Sequence, residues 1–145
     1  MTSVADVDAN LRAAKQLIFD AVGRGAKLIV LPENFAFMSP DDEARIAISE
    51  HDGRGPIQEF LQNQASVHNV WIVGGTVPIR TGARKVLSAC FVFDEAGKRV
   101  ARYDKVHLFD VSIPGRNERY RESASTEAGS DVCVIDSPLG RLGLS

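Results

Sequence analysis

Several features that mark specialised classes of protein are scarce in this sequence. Its 145 residues include only two cysteines, Cys90 and Cys133. At most one disulfide can form, so the sequence does not indicate a secreted, disulfide-built scaffold. The two cysteines and the three histidines are scattered without the spacing of metal ligands. No glycine-rich loop has the pattern that holds a phosphate. We therefore expect neither a metal nor another cofactor.

Long apolar runs and an excess of one charge are also missing. No segment approaches the ~20 apolar residues that cross a bilayer, and the N-terminus has no basic-then-apolar signal segment. A net charge of -2 and a pI near 5.9 give no electrostatic reason to bind nucleic acid or an anionic membrane. We therefore expect a cytoplasmic protein with no nucleic-acid partner and no membrane partner.

The composition that remains is typical of one globular domain, with 44% hydrophobic and 25% charged residues. Apolar residues at three- and four-residue steps predict a first helix, which Asp6 or Ser3 caps and Gly23 and Gly25 end. The apolar run Lys27–Leu31 predicts a strand covered on both faces, as in a parallel sheet. The residues of the helical stripe are Val7, Leu11, Ala14, Ile18 and Ala21.

Two more helices and several strands are predicted downstream. Ser39 and Pro40, followed by acidic residues, predict a helix that Ser39 caps and that runs to about His51. A further helix is predicted over 57–68. Short turns between successive strands indicate an antiparallel meander added to a parallel part, which gives a mixed α/β sheet. The predicted strands are Val70–Pro78, Val86–Phe93, Arg99–Tyr103, Val132–Ile135 and one that begins at Arg141.

The segment Asp110–Asp131 is polar and has little periodicity. Loops longer than ~12–15 residues in compact domains are usually functional or disordered. Because Glu122 lies in this loop, one hypothesis makes the loop a wall or partial lid of an active site. The alternative is a surface loop with a solvated Glu122.

Two other charged residues lie at the ends of predicted strands. Glu33 follows Pro32 at the carboxyl end of a strand, which is the edge where open α/β sheets bind ligands. Lys105 lies between apolar residues at the mouth of the long polar loop. Each residue taken alone has a plain alternative, a charged side chain in water at a loop edge.

Three motifs in order resemble the nitrilase superfamily of carbon–nitrogen hydrolases. They are Leu31-Pro32-Glu33-Asn34, Asp104-Lys105-Val106-His107-Leu108-Phe109-Asp110 and Arg119-Tyr120-Arg121-Glu122-Ser123. The similarity runs along the whole chain and is greatest to the amidase branch, the deaminated-glutathione amidase and ω-amidase type. The resemblance implies part of an αββα sandwich, with a mixed sheet and helices on one face. It also implies a small carboxamide substrate, no cofactor and a homo-oligomer.

The resemblance further implies catalytic roles for Glu33, Lys105 and Glu122. Glu33 accepts the proton of a cysteine thiol and later activates water, and Lys105 faces the oxyanion of the tetrahedral intermediate. Glu122 keeps Lys105 charged and oriented. In the family, the nucleophilic cysteine stands in a Cys-Tyr-Asp motif just after a strand similar to the one that ends at Ser145. Residues 1–145 are therefore expected to be one incomplete domain that lacks the first strand and the nucleophile-bearing half, and to be inactive alone.

Other interpretations stay open at this point. Cys90 and Cys133 have apolar neighbours, where cysteine behaves as a small inert hydrophobe, so neither is favoured as the nucleophile. A Cys–His hydrolase that uses His107 is disfavoured, and His107 is expected to pack beside Lys105 or to support it. The two alternatives to an active hydrolase are a catalytically inactive truncated fragment and a non-enzymatic assembly module that pairs through open strand edges.

Overall fold

The computed structural model describes residues 1–82, 84–113, 115 and 119–145, in which the chain forms three α-helices and ten β-strands. The helices are α1 (Val7–Gly23), α2 (Asp42–Ala47) and α3 (Pro56–His68). The first five strands are β1 (Leu28–Val30), β2 (Trp71–Val73), β3 (Val77–Arg80), β4 (Val86–Phe93) and β5 (Arg99–Asp104). The others are β6 (Asp110–Ser112), β7 (Arg119–Arg121), β8 (Thr126–Glu127), β9 (Cys133–Ser137) and β10 (Gly140–Leu144), and a 3-10 turn covers Glu122–Ala124.

Strand β4 holds the six-stranded sheet together. It pairs antiparallel with β2, β3 and β5 and parallel with β8, while β1 pairs parallel with β2. Ala89 of β4 is in register with Val77 of β3 and with Asp104 of β5. The predicted mixed sheet is therefore confirmed.

The two faces of the sheet have different covers. Successive residues of a strand point to opposite faces, so Ile72 packs with the helices whereas Trp71 and Val73 pack with the hairpin of β9 and β10. Helices α1 and α3 bury Ile18 and Leu61 against the first face. Helices α1 and α3 therefore lie on one face of the sheet, as predicted.

The first and third helices match their predicted bounds because their end signals are local. Asp6 caps α1 by accepting a hydrogen bond from the backbone N–H of Ala9. Pro56 occupies the first turn of α3, where its missing N–H costs nothing. In the described part of the chain, no helix has the length and apolar character needed to span a membrane.

The prediction for α2 is wrong in its cap and its length. Asp41, not Ser39, accepts a hydrogen bond from the N–H of Glu43, and Ser39 instead accepts one from the N–H of Asp41. The helix ends at Ala47 because the chain then turns toward the sheet, where Glu50 N donates to Pro78 O at 2.9 Å.

Three predictions about the strands also need correction. The predicted strand Val70–Pro78 is two strands, because the chain bends at Gly74 and at Gly75, whose φ is +57°. The predicted loop Asp110–Asp131 contains β6, β7, β8 and the 3-10 turn. The strand predicted to be covered on both faces leaves Val30 66% exposed, because β1 lies at an edge of the sheet.

Glu50 caps α3 from outside the helix. Its buried carboxylate accepts hydrogen bonds from the backbone N–H groups of Ile57 at 2.5 Å and Gln58 at 3.2 Å, and from Gln58 Nε2 at 2.9 Å. The start of a helix leaves N–H groups without intrahelical partners, and a carboxylate there also matches the positive end of the helix dipole.

We predict that Glu50→Ala lowers the free energy of unfolding by ~2–3 kcal/mol, because buried donors at the start of α3 lose a charged acceptor. Urea unfolding followed by circular dichroism measures this change. The matched control is Glu59→Ala, which removes an exposed carboxylate from the same turn and is expected to cost less than ~1 kcal/mol. Equal losses in the two variants would contradict the capping role.

Candidate active site

The three charged residues singled out from the sequence meet in space. Lys105 Nζ lies 2.9 Å from Glu33 Oε1 and 3.0 Å from Glu122 Oε2. The side chains of Lys105, Glu33 and Glu122 are 21%, 53% and 16% exposed, respectively. One ammonium group therefore lies between two carboxylates, with Glu122 on the buried side and Glu33 on the open side.

A tight turn after β1 positions Glu33. The next residue, Asn34, has a φ of +55°, and its N–H donates to Thr76 Oγ1 at 3.0 Å. Phe35 is fully buried, so it anchors the far end of the turn in the core. Gly75 is required beside this turn, because a Cβ there would lie 2.2 Å from Pro32 O.

The position of Lys105 is set by its own main chain. Its N–H donates to Ser88 O at 3.0 Å, and its carbonyl accepts from the N–H of Gly129 at 2.9 Å. A Cβ at Gly129 would lie 2.2 Å from Asp104 O, so the strand end and the returning loop can approach this closely only with glycine. The Lys105 backbone is thus fixed from both sides.

Glu122 lies at the neck of the β6–β7 hairpin, which four hydrogen bonds close. Phe109 N donates to Glu122 Oε2 at 2.7 Å, and Glu122 N donates to Phe109 O at 3.3 Å. Ser123 donates to the carboxylate of Asp110 through its N–H at 3.0 Å and through its hydroxyl at 2.5 Å. These hydrogen bonds fix the main chain and the carboxylate of Glu122 relative to Phe109 and Asp110.

The two carboxylates decide the charge of Lys105. Partial burial by itself lowers the pKa of an ammonium group, but the hydrogen bonds and charges of Glu33 and Glu122 outweigh that effect. The pKa of Lys105 is therefore raised above its ordinary value of 10.5. The ammonium form is the only populated form at neutral pH, so this residue can stabilise a negative oxygen but cannot act as a base.

A cavity of about 340 Å³ opens beside this charge cluster. Glu33, Lys105 and His107 line it together with Gly143 and Ser145. The volume suits a small ligand. The remaining lining residues are Val30, Leu31, Val73, Gly75, Thr76, Cys90, Tyr103 and Leu144.

The other candidates considered from the sequence have weaker positions. Cys90 lines the cavity, but burial and the nearby Cys133 raise the pKa of its thiol to about 11, so little thiolate forms at neutral pH. Both cysteines are free. His107 is exposed at the cavity wall, which it lines together with Lys105. Among the residues that the structure describes, no group of three or more His, Cys, Asp or Glu side chains could hold a metal ion.

Two residues whose contacts hold segments of the site in place were not singled out from the sequence. The Tyr103 hydroxyl accepts a hydrogen bond from the N–H of Val106 at 3.1 Å and so stiffens the segment that carries Lys105. Arg45 of α2 reaches Ser88 and Thr126 behind the site. Neither residue lies in a recognisable motif, and both contacts depend on strand pairing that a single sequence does not reveal.

A family model described as carbon-nitrogen hydrolase matches residues 1–145. The chain belongs to the carbon–nitrogen hydrolase family. It is 34% identical over 138 residues to the deaminated glutathione amidase of Yersinia enterocolitica, with 94% of this chain and 48% of that protein covered. It is 32% identical over 147 residues to the chloroplastic omega-amidase of Arabidopsis thaliana, with 99% and 39% covered. The chain thus spans about half or less of the length of these curated relatives.

Solved structures of this carbon–nitrogen hydrolase family have the same fold. The Caenorhabditis elegans NitFhit protein superposes with a TM-score of 0.87 at 32% identity, covering 100% of this chain and 35% of that one. Saccharomyces cerevisiae Nit3, a member of branch 10 of the nitrilase superfamily, gives 0.79 at 28% identity, covering 97% and 50%. The resemblance stated from the three motifs is therefore confirmed at the level of the superfamily and the fold.

We predict that Gly75→Ala destabilises the chain, because it adds a Cβ against Pro32 O and forces a positive φ that alone costs ~1–3 kcal/mol. Urea unfolding measures the loss. Gly82→Ala is the matched control, since a Cβ at Gly82 meets nothing within 4 Å. If both variants unfold at the same urea concentration, the close approach of Gly75 to the Glu33 turn does not constrain the fold.

The raised pKa of Lys105 predicts how its ion pairs depend on pH. Their stabilisation is fully present below the unfolded-state pKa, near 10.5, and is lost as pH rises through the still higher folded-state pKa. The difference in unfolding free energy between the wild type and Lys105→Met should therefore be constant at neutral pH and shrink above about pH 10.5. Lys98→Met, at an exposed lysine, should show a difference near zero throughout. A Lys105→Met difference that persists unchanged at high pH would contradict the ion-pair assignment.

Proposed function

We propose that this chain supplies Glu33, Lys105 and Glu122 to a carbon–nitrogen hydrolase that cleaves a small carboxamide through a cysteine nucleophile. The observation that carries the proposal is the pair of contacts of 2.9 and 3.0 Å from one ammonium group to two carboxylates beside a cavity. Two of the relatives are amidases by name, which favours an amide over a nitrile.

In this mechanism Glu33 is the general base. It is the more exposed of the two carboxylates and lies on the cavity wall, so it can reach a thiol and a water molecule. Glu33 takes the thiol proton, the thiolate attacks the amide carbon, and the proton passes to the nitrogen as the C–N bond breaks and ammonia leaves. Glu33 then takes a proton from water, which attacks the thioester and releases the acid and the thiol.

Lys105 stabilises the oxyanion of both tetrahedral intermediates. Its ammonium group lines the cavity, and the loss of one such donor typically costs ~3–4 kcal/mol of transition-state stabilisation. Glu122 orients this group, because its carboxylate is held at the hairpin neck by the N–H of Phe109. Glu33 thus transfers protons, whereas Lys105 provides a fixed positive charge.

The nucleophile in this proposal is a cysteine that follows Ser145. Gly143, Leu144 and Ser145 line the same cavity as Lys105, so a residue joined to Ser145 would enter beside the ammonium group. The buried Cys90 thiol, with a pKa of about 11, is a poor alternative. In this proposal, turnover needs a polypeptide that includes the cysteine after Ser145. Cytoplasmic location and homo-oligomeric assembly stay predictions.

We predict that residues 1–145 alone release no ammonia above background from a panel of ω-amides, whereas a polypeptide that continues past Ser145 into a cysteine-containing segment does. Coupled glutamate dehydrogenase measures the ammonia. In the longer polypeptide, Glu33→Gln and Lys105→Met should each lower kcat by at least ~100-fold, because they remove the base and the oxyanion partner.

In the longer polypeptide, the double variant Cys90→Ser/Cys133→Ser is the control for the identity of the nucleophile. It should keep wild-type turnover. Iodoacetamide should still abolish that turnover, because it alkylates the nucleophilic cysteine that remains. Turnover by residues 1–145 alone would refute the placement of the nucleophile. Normal turnover in Lys105→Met would refute the role of the ammonium group.

A further inference from the structure

Arg45 joins two buried hydroxyl groups behind the active site. Its Nη1 donates to Thr126 Oγ1 at 2.7 Å and its Nη2 donates to Ser88 Oγ at 2.6 Å. Ser88 is 0% and Thr126 1% exposed. One planar guanidinium fork therefore connects β4, which carries Ser88, to β8, which carries Thr126.

The two hydroxyl-bearing residues belong to the main chains that hold Lys105 and Glu122. Ser88 O accepts the N–H of Lys105 at 3.0 Å. Thr126 follows Ser125, whose N–H donates to Glu122 O at 3.2 Å. A shift of β8 relative to β4 would therefore move Glu122 relative to Lys105.

The charge of Arg45 also fits this location. Burial lowers the pKa of the guanidinium, and the charges of Glu122, Asp42 and Glu33 act in the opposite direction. An arginine side chain stays protonated in proteins. Both carboxylates of the site thus lie in the field of a second cation, one that does not line the cavity.

Arg45 also matters for the attachment of helix α2 to the sheet. The helix has six residues and buries none of them, so burial of its side chains contributes little to holding it on the sheet. An ion pair of this helix, between Glu43 Oε1 and Arg84 Nη2 at 3.1 Å, lies on the surface, where such pairs contribute little.

We propose that Arg45 is a positioning residue, whose bridge between Ser88 and Thr126 sets the separation of Glu122 from Lys105. The inference rests on the function proposed above and adds a residue that does not touch the substrate. The bridge needs arginine, because a planar fork can donate to two acceptors at fixed spacing, whereas lysine carries a point charge on a flexible stem.

The first test compares kinetics in the enzyme that carries its nucleophilic cysteine. Arg45→Met should lower kcat by at least ~10-fold with KM within ~3-fold, since a misplacement of ~1 Å away from the substrate costs up to ~100-fold in rate. Arg45→Lys, which restores the charge without the fork, should not recover kcat. Arg84→Met is the matched control, because it breaks the exposed ion pair to the same helix, and it should have wild-type kinetics.

The second test does not depend on turnover. In the same protein, the pKa of Lys105 is measured from the carbon-13 shift of its ε-carbon. Arg45→Lys and Thr126→Val, which both keep a positive charge at position 45, should lower that pKa relative to the wild type, because Glu122 no longer stays within hydrogen-bond distance of Lys105. Arg84→Met should leave it unchanged. If the proposed reaction fails in every variant, this titration still decides the role of Arg45.

Thr126→Val is the second variant in case Arg45→Met does not fold. Valine has the shape of threonine and lacks the acceptor, so it removes half of the bridge with little change in packing. Circular dichroism confirms that each variant folds. The proposal is overturned if the folded variants without the bridge keep the wild-type kcat and Lys105 titration, or if Arg45→Lys restores both.

Discussion

Two carboxylates within hydrogen-bond distance of one ammonium group impose the main constraint on this structure. Glu33 and Glu122 could not approach the same point as charged groups without a cation between them, because like charges disfavour each other's ionisation. The three residues are far apart in the sequence, since Lys105 comes 72 positions after Glu33 and 17 positions before Glu122. Three separate chain segments must therefore end at one edge of the sheet, and each needs contacts that hold it there.

Main-chain contacts provide most of that support. Gly75 admits the carbonyl of Pro32, and Gly129 admits the carbonyl of Asp104, at distances that any Cβ would prevent. These glycines let a strand end and a neighbouring loop approach each other without side chains between them. The charged side chains then reach the cavity from backbones that are already fixed, so little conformational freedom remains to be lost when a substrate binds.

The sequence predicted what depends on local signals. The stripe of α1, the extent of α3 to within one residue, and the motifs around Glu33, Lys105 and Glu122 each consist of residues that are close together in the sequence. What it missed depends on distant partners. The end of α2 depends on Glu50 binding to β3 and α3, the division of the strand at Gly75 depends on Pro32, and the contacts of Arg45 depend on the pairing of β4 with β8. Single-sequence periodicity carries no record of such pairings.

The neck that closes the β6–β7 hairpin lies between the Glu122 contact with Lys105 and the exposed strands of the hairpin. On one side Glu122 contacts Lys105, and on the other side both strands are exposed, with Phe109 and Tyr120 in ring contact at 5.6 Å. Because the hydrogen bonds of Glu122 are completed at the neck, its contact with Lys105 needs no side chain of the exposed strands β6 and β7. Substitutions on these two strands can therefore leave the charge cluster intact.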